Sequence, residues 1–267
     1  GMCGTPELQA MREAVVLLVK HHSFPPYALE KEENLRKMIS IAASAELVPD
    51  FSLKLLHLLS KADALGRECE DKDDFTAQVD LFAELAKEQG CYDGPVSFTS
   101  DYTRRAYFSG VDVWPQQELY DESWGEVLML CGLPGTGKDY WISKHCADMP
   151  VVSLDDIRRR HKLSPEGSQG YVASLGKEEA KSYLRKHQPF VWNATNITVD
   201  IRRQLIDLFE SYGASVRIVY LETDLATQLR RNASREDKVP EPVIYSMLSK
   251  LAVPEIHEAR CVRWLCV

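Results

Sequence analysis

The sequence predicts an α/β fold with a doubly wound parallel sheet, preceded by a smaller all-α domain. Three observations support this prediction. Apolar residues recur with helical spacing from about residue 6 to 90, short apolar strands alternate with helices after residue 125, and a glycine-rich turn follows the first strand. Residues 91–122, between these patterns, are irregular and aromatic. We therefore expect a helical domain with a connector at 1–124 and an α/β domain at 125–267.

The first domain is predicted from apolar residues spaced three or four positions apart. Met11, Val15 and Leu18 form one such series, and Val79 and Phe82 belong to another. This spacing places the apolar side chains of each segment on one face of a helix. The segments together predict a helical bundle.

Short apolar runs predict the strands of the second domain. They are Val127–Cys131, Val151–Leu154, Phe190–Asn193 and Val216–Leu221, and the final run Cys261–Val267 also has the character of a strand. Helical patterns lie between them, one with the apolar face Ile201, Leu205 and Phe209 and an expected end at Gly213. Because such sheets bind ligands at the carboxyl ends of their strands, functional residues are expected in the loops that follow.

The first of these loops, residues 132–138, reads Gly-Leu-Pro-Gly-Thr-Gly-Lys. Glycine permits backbone conformations and close approaches that a Cβ would block, so successive N–H groups can point at a phosphate. The pattern predicts a nucleoside-triphosphate site, in which Lys138 carries charge to the β- and γ-phosphates. The expected nucleotide-binding residues here are Gly132, Gly135, Thr136, Gly137, Lys138 and Asp139. The alternative is a glycine-rich turn without a ligand.

Asp139 occupies the position where Ser or Thr normally supplies a hydroxyl to Mg²⁺. We expect Asp139 to be the metal ligand, because a carboxylate can bind Mg²⁺ directly or through water. The loop after the third strand reads Asn193-Ala194-Thr195-Asn196 and lacks the carboxylate that a second magnesium ligand would provide. Thr195 and Asn196 are predicted either to bind the acceptor or the glycine loop, or to hold the local turn.

The loop after the second strand carries Asp155, Asp156 and Arg158. A phosphoryl acceptor needs a carboxylate to take its proton, and Asp155 is predicted to be this base. Arg158, three residues later, would lie on the same helical face and hold a phosphate of the acceptor. The alternative is that an Asp caps the helix, which explains one carboxylate and not both. Arg159 and Arg160 are expected on a solvated face.

The stretch from Arg230 to Pro240 is charged and short of apolar residues. We predict that it forms a lid, in which Arg231 or Arg235 neutralises charge on the transferred group. The alternative is an exposed loop with arginines at a helix end.

Composition limits the classes of function. The 267 residues are 45% hydrophobic and carry a net charge of −8. Residues 1–124 hold 12 Lys and Arg against 22 Asp and Glu, so the acidity belongs to the first half. No apolar run approaches the roughly 20 residues that span a bilayer, and the seven cysteines contain no C-x-x-C pair. We expect a cytoplasmic protein with reduced thiols and no membrane partner.

Four segments resemble the polynucleotide 5′-hydroxyl kinase group of P-loop phosphotransferases, in order and spacing, over about residues 126–255. They are the glycine loop, Leu-Asp-Asp-Ile-Arg, Ala-Thr-Asn and Arg-Asn-x-x-Arg. The resemblance implies ATP and Mg²⁺ as cofactors. It also implies that Asp155 is the general base, that Arg158 contacts the acceptor strand and that Arg235 contacts the donor phosphates.

The first half is similar to the later part of an HD-type metal phosphohydrolase domain. The similarity lies in Lys20–Tyr27 and Lys61–Arg67. Bacterial proteins that fuse such a domain to a polynucleotide kinase are RNA-repair enzymes. The defining His-Asp dipeptide is absent from this sequence, and only His21, His22 and Asp63 remain as metal ligands. A helical remnant without phosphatase activity is therefore the preferred interpretation.

The sequence thus predicts an ATP-dependent kinase acting on the 5′-OH end of RNA or DNA, with the helical half as an accessory domain and homo-oligomerisation left open. Two alternatives remain. One is a small-molecule or nucleotide kinase of the same fold, which the acidic net charge favours. The other is a non-catalytic nucleotide-binding module, which the missing carboxylate after the third strand favours.

Overall fold

The computed structural model describes residues 2–68, 70–163, 167, 169–235 and 237–267. Cys69, one of the expected thiols, and Glu236, in the predicted lid, lie outside the described residues. The chain divides into two compact units. Glu7–Leu119 forms a helical unit, and Tyr120–Val267 forms an α/β unit together with the short N-terminal segment through Pro6.

The helical unit confirms the predicted all-α region. Its α-helices are α1 (Pro6–His21), α2 (Glu33–Ala43), α3 (Leu53–Gly66), α4 (Lys72–Glu88) and α5 (Asp101–Phe108). Serine side chains cap two of them: Ser52 accepts from the Leu55 N–H at the start of α3, and Ser100 accepts from the Thr103 N–H at the start of α5. The core includes Phe82, whose ring meets that of Phe24 edge to face at 6.2 Å.

Helix α1 departs from the predicted burial pattern. It buries Ala14 and Leu17, whereas Met11 and Val15 are 61% and 56% exposed. The helix carries apolar residues on more than one face, so spacing alone does not identify the face that packs.

The segments that resemble an HD-type domain do not assemble a metal centre in the described structure. The His22 ring contacts the Val19 carbonyl at 2.7 Å, and Asp63 forms an ion pair with Arg67 at 2.7 Å. Among the residues that the structure describes, no three His, Cys, Asp or Glu side chains are grouped to hold a metal ion. We therefore base no activity on the helical unit.

The α/β unit alternates strands and helices, as predicted. Its strands are β1 (Gly125–Cys131), β2 (Val151–Ser153), β3 (Phe190–Asn193), β4 (Ala214–Glu222) and β5 (Cys261–Cys266). Its helices are α6 (Lys138–His145), α7 (Leu154–Arg160), α8 (Gln169–Leu184), α9 (Val199–Glu210), α10 (Leu225–Ala233) and α11 (Glu241–Leu248). In the described residues, no helix is long and apolar enough to cross a membrane.

The five strands form one parallel sheet in the order β2-β3-β1-β4-β5. Leu130 of β1 lies beside Asn193 of β3, and Asn193 lies beside Ser153 of β2. This register brings the carboxyl ends of three strands to one edge of the sheet. The loops that follow β1, β2 and β3 therefore meet there.

Both faces of the sheet are covered, which confirms the doubly wound prediction. On one face, Ile142 of α6 packs with Leu130, Val191 and Val219. On the other face, the ring of Trp192 lies 5.8 Å from that of Phe209 in α9. Alternate residues of β3 thus enter different cores.

A buried ion pair fixes the segments behind this sheet edge. The Arg202 side chain in α9 has no solvent exposure and donates to both carboxylate oxygens of Glu258, at 2.6 and 2.7 Å. It also donates to the carbonyls of Asn196 and Ala252, at 3.1 and 2.8 Å. The contacts with Glu258 and Ala252 join residues at least 50 positions apart, so no local sequence pattern predicts them.

We expect Arg202→Ala to lower the free energy of unfolding of the protein by about 3–5 kcal/mol, because it leaves Glu258 buried without its counter-charge. Arg203→Ala is the matched control, since Arg203 pairs with Asp200 on the exposed surface. Urea unfolding of both variants measures the difference. A loss in Arg202→Ala no larger than that in Arg203→Ala would show that the buried pair does not stabilise the fold.

Candidate active site

The glycine loop after β1 has the backbone conformation that requires glycine. Gly132, Gly135 and Gly137 have φ angles of 145°, 84° and 90°. A Cβ on Gly132 would lie 2.5 Å from the Leu221 carbonyl oxygen, and one on Gly135 would lie 2.8 Å from that of Gln228. Neither position therefore accepts a larger residue without displacing backbone. The loop ends at α6, whose N-terminus adds unpaired N–H groups for an anion.

Lys138 is folded into this loop. Its Nζ donates to the carbonyls of Gly132 and Leu133, at 2.8 and 2.9 Å. Burial lowers the pKa of Lys138 to about 8, while the carboxylates of Asp139 and Asp155 oppose this shift. The ammonium thus lies within electrostatic reach of both carboxylates. Phosphate oxygens can replace the two carbonyls as its acceptors.

Thr136, the other expected loop contact, has a structural role in this arrangement. Its side chain is fully buried, and its Oγ1 donates to the Leu133 carbonyl at 2.9 Å. The hydroxyl closes the loop on itself. The Thr136 N–H also donates to the Leu133 carbonyl, at 3.4 Å.

Asp139 contacts the strand-end residue Asn193. The Asn193 Nδ2 donates to the Asp139 Oδ1 at 2.7 Å. Asn193 is 8% exposed, whereas Asp139 is exposed. The two positions from which magnesium ligands are expected therefore touch each other. Nothing in the sequence pattern indicated this contact.

Asp155 lies in the first turn of α7, at the end of β2. The cap of this helix is Ser153, whose Oγ accepts from the Asp156 N–H at 3.2 Å. The capping alternative for Asp155 therefore does not apply. Arg158 donates from Nη1 to the Asp155 Oδ1 at 2.8 Å, and its Nη2 donates to the Gln169 side chain.

The remaining nitrogen of the Arg158 guanidinium is Nε. It is shielded from solvent and has no hydrogen-bond partner in the described part of the chain. A buried N–H without an acceptor costs roughly 1–3 kcal/mol. Such groups in folded proteins commonly mark a missing ligand, water or ion. The N–H of Nε is thus available for an additional acceptor.

The predicted lid approaches Asp155 from the other side. Arg235 Nη2 lies 3.7 Å from the Asp155 Oδ2, and Arg159 Nη1 donates to Asp237 in the lid at 3.2 Å. Within the lid, the Asn232 side chain holds both the N–H and the carbonyl of Val239, at 3.1 and 2.8 Å. Asp155 therefore lies between two arginines, one from α7 and one from the lid.

Helix α10 carries two further residues next to the glycine loop. Arg231 Nη1 lies 3.8 Å from the place where a Cβ on Gly137 would be, so its charge is close to the loop. Gln228 is fully buried and donates from Nε2 to the Pro134 carbonyl at 2.9 Å. The sequence does not predict this contact. Gln228 is polar, and its partner lies 94 positions earlier in the chain.

The loop after β3 holds the sheet edge together. The Thr195 carbonyl accepts from the Gly132 N–H at 2.9 Å, which ties this loop to the glycine loop. Asn196 is 2% exposed, with its Nδ2 on the Leu130 carbonyl and its Oδ1 on the Trp192 indole N–H. Asn196 thus follows the alternative in which it holds the local turn, because both polar atoms of its buried side chain already bind the protein.

The chain is similar to several known proteins. Residues 127–254 match the family described as AAA domain. The chain is similar to the L-seryl-tRNA(Sec) kinase of Methanococcus maripaludis, with 26% identity over 135 residues, which cover 48% of this chain and 53% of the relative. The chain therefore spans about half the length of this curated relative.

Two solved structures are also similar. One is described as the structure of a Pnkp1/Rnl/Hen1 complex, with 15% identity, a TM-score of 0.39 and coverage of 47% of this chain and 43% of the other. The second is a gluconokinase from Sinorhizobium meliloti, with 13% identity, a TM-score of 0.38 and coverage of 54% and 85%. The family match over residues 127–254 and the conformation of the glycine loop together indicate a P-loop domain in the α/β unit.

Proposed function

We propose that the protein is an ATP- and Mg²⁺-dependent kinase that phosphorylates the 5′-OH end of a polynucleotide. The observation that carries this proposal is the position of Asp155. Its carboxylate lies between Arg158 and Arg235, within electrostatic reach of the Lys138 ammonium in the glycine loop. In this proposal Asp155 is the base, Arg235 is the donor-side cation and Arg158 is the acceptor-side cation.

These residues suit an in-line transfer. Asp155 accepts the proton of the acceptor hydroxyl as its oxygen attacks the γ-phosphorus, and the bond from phosphorus to the ADP oxygen breaks. Lys138 and Arg235 neutralise the charge that develops on the transferred group. When bound, Mg²⁺ would supply positive charge that stabilises the transferred group. Asp139 is the residue that would hold it.

The unpaired Nε of Arg158 supports an acceptor that itself carries phosphate. In the described structure, Asp155 and Gln169 use the two terminal nitrogens of this guanidinium. A phosphate diester beside the acceptor hydroxyl would supply the oxygen that Nε lacks. A polynucleotide end offers a hydroxyl and a diester in one substrate, whereas an unphosphorylated sugar offers only the hydroxyl.

Transfer of labelled γ-phosphate from ATP tests the proposal. The acceptors compared are 5′-OH RNA and DNA oligonucleotides, isolated nucleosides, nucleotides, sugar acids and seryl-tRNA. We expect the oligonucleotides to be labelled at the 5′ end and to exceed every other acceptor. Labelling of a metabolite or of the seryl group, with none on oligonucleotides, would contradict the polynucleotide assignment.

A small-molecule or nucleotide kinase is the second candidate. The net charge of −8 favours it, because an acidic protein repels a polyanionic strand outside the local arginines. A non-catalytic nucleotide-binding module is the third, and Asn193 in place of a carboxylate favours it. Binding of ATP without transfer to any acceptor in the panel would support this last candidate.

Arg158→Ala is expected to weaken the oligonucleotide acceptor, raising its KM roughly tenfold, with a smaller effect on turnover. If Arg158 contacts a phosphate, its loss also makes the plot of log affinity against log salt concentration less steep. The change in slope should correspond to about one phosphate contact. Steady-state transfer at several salt concentrations measures both. Arg160→Ala is the control, because Arg160 lies on the same helix as Arg158, is exposed and pairs with Glu179 of α8. An unchanged KM and salt slope would place Arg158 outside the acceptor groove.

A further inference from the structure

Asp139 and Asn193 occupy two positions with a known division of labour. In P-loop enzymes, the residue after the loop lysine supplies a hydroxyl to Mg²⁺, and an Asp at the end of a neighbouring strand supplies a carboxylate. Here the loop position holds the carboxylate, the strand end holds a neutral amide, and the two side chains are hydrogen-bonded at 2.7 Å.

We propose that the two magnesium-binding roles are exchanged in this chain. Asp139 is the carboxylate that holds the metal, and Asn193 is the positioning residue that orients it. This inference rests on the nucleotide site of the proposed function. One arrangement then explains both departures from the usual pattern, namely Asp139 in the loop and Asn193 in place of a strand-end carboxylate.

The geometry leaves Asp139 able to bind a cation. Asn193 engages only Oδ1 of the carboxylate, and Oδ2 makes no hydrogen bond to any described residue. Asn193 itself is buried at the end of β3, where pairing with Leu130 and Ser153 fixes its backbone. A side chain on the rigid sheet thus holds a side chain at the start of α6. Residues that do not touch a metal orient its ligands by hydrogen bonds of this kind.

The donor set fits magnesium. Mg²⁺ prefers oxygen ligands and is usually bound by one or two carboxylates with substrate phosphates and waters, not by a cage of protein groups.

The charge of the site is conserved by the exchange. A Ser and Asp pair carries one negative charge, and so does the Asp139 and Asn193 pair. Replacing Asp139 alone by Ser would leave the metal with no carboxylate from either position. Adding Asn193→Asp to that variant would return the charge to the strand end. The second substitution should therefore repair the first.

Binding of Mn²⁺, followed by electron paramagnetic resonance, tests this without relying on catalysis. The whole chain is titrated with Mn²⁺ in the presence of a non-hydrolysable ATP analogue, and binding of the analogue alone is measured separately. We expect Asp139→Ser to weaken Mn²⁺ at least tenfold. Adding Asn193→Asp to Asp139→Ser should recover most of the loss. Asp148→Ser, an exposed Asp in the same unit, should leave the affinity unchanged.

The outcomes separate the exchange from the proposed function. Unchanged Mn²⁺ affinity in Asp139→Ser, or no recovery in the double variant while each protein keeps its melting temperature and binds the analogue, would overturn the exchange alone. In that case the contact between Asp139 and Asn193 only fastens the loop to the sheet. Failure of the parent protein to bind the analogue would overturn both proposals.

Discussion

Lys138→Ala is expected to reduce phosphoryl transfer by roughly 100- to 1,000-fold or more while leaving the fold intact. The ammonium lies inside the glycine loop, where burial lowers its pKa to about 8. It donates hydrogen bonds to two loop carbonyls. A cation held in this loop acts on charge that develops on the γ-phosphate. The side chains of Thr136 and Gln228 also donate to carbonyls of the loop, but they carry no charge.

Measurement of turnover, nucleotide affinity and melting temperature separates the possible causes of a loss. Lys144→Ala is the matched control, because Lys144 lies at the end of the same helix, over the exposed ring of Tyr140. We expect the control to keep full activity. Activity of Lys138→Ala within about tenfold of the parent protein would show that the loop is not a working phosphate cradle.

The glycine loop and the helix after β2 could be predicted because their chemistry is local. Gly132 to Lys138 are consecutive, and their residue types alone restrict the backbone. Asp155 and Arg158 are one helical turn apart, so their common face follows from helix geometry. The sheet was predictable for a similar reason, since each strand is a short apolar run with its own boundaries.

The remaining contacts depend on strand register and on how distant segments pack together, which a single sequence does not specify. Asn193 meets Asp139 because β3 pairs with β1. This pairing puts the end of β3 beside Leu130, close to the start of the glycine loop. Gln228 and Arg202 are buried polar residues whose partners lie elsewhere in the chain, and their own neighbours in sequence resemble those of surface residues. Polar side chains are usually exposed, so sequence patterns assign such residues to the surface.

The role of Asp155 also separates chemistry from local structure. Ser153 already caps α7, so the carboxylate of Asp155 is not needed to start the helix. Its two arginine partners are the expected contacts of acceptor and donor phosphates. In the described structure these arginines share one carboxylate. Binding of both substrates would give each arginine a phosphate and leave Asp155 to the acceptor hydroxyl.

Asp155→Asn should therefore lower transfer to a 5′-OH end by about 100-fold or more with little change in stability. The amide keeps an oxygen for Arg158 but cannot take a proton, and exposed ion pairs contribute only about 0–1 kcal/mol to stability. Asp156→Asn is the matched control, since Asp156 is the next residue, is also exposed and pairs with Arg159. Steady-state transfer and melting temperature are measured for both. If Asp155→Asn keeps near-full transfer, or loses activity only by unfolding, the proton must leave through Asp156 or a metal-bound water. Loss confined to Asp155→Asn in a folded protein would establish the strand-end carboxylate as the base.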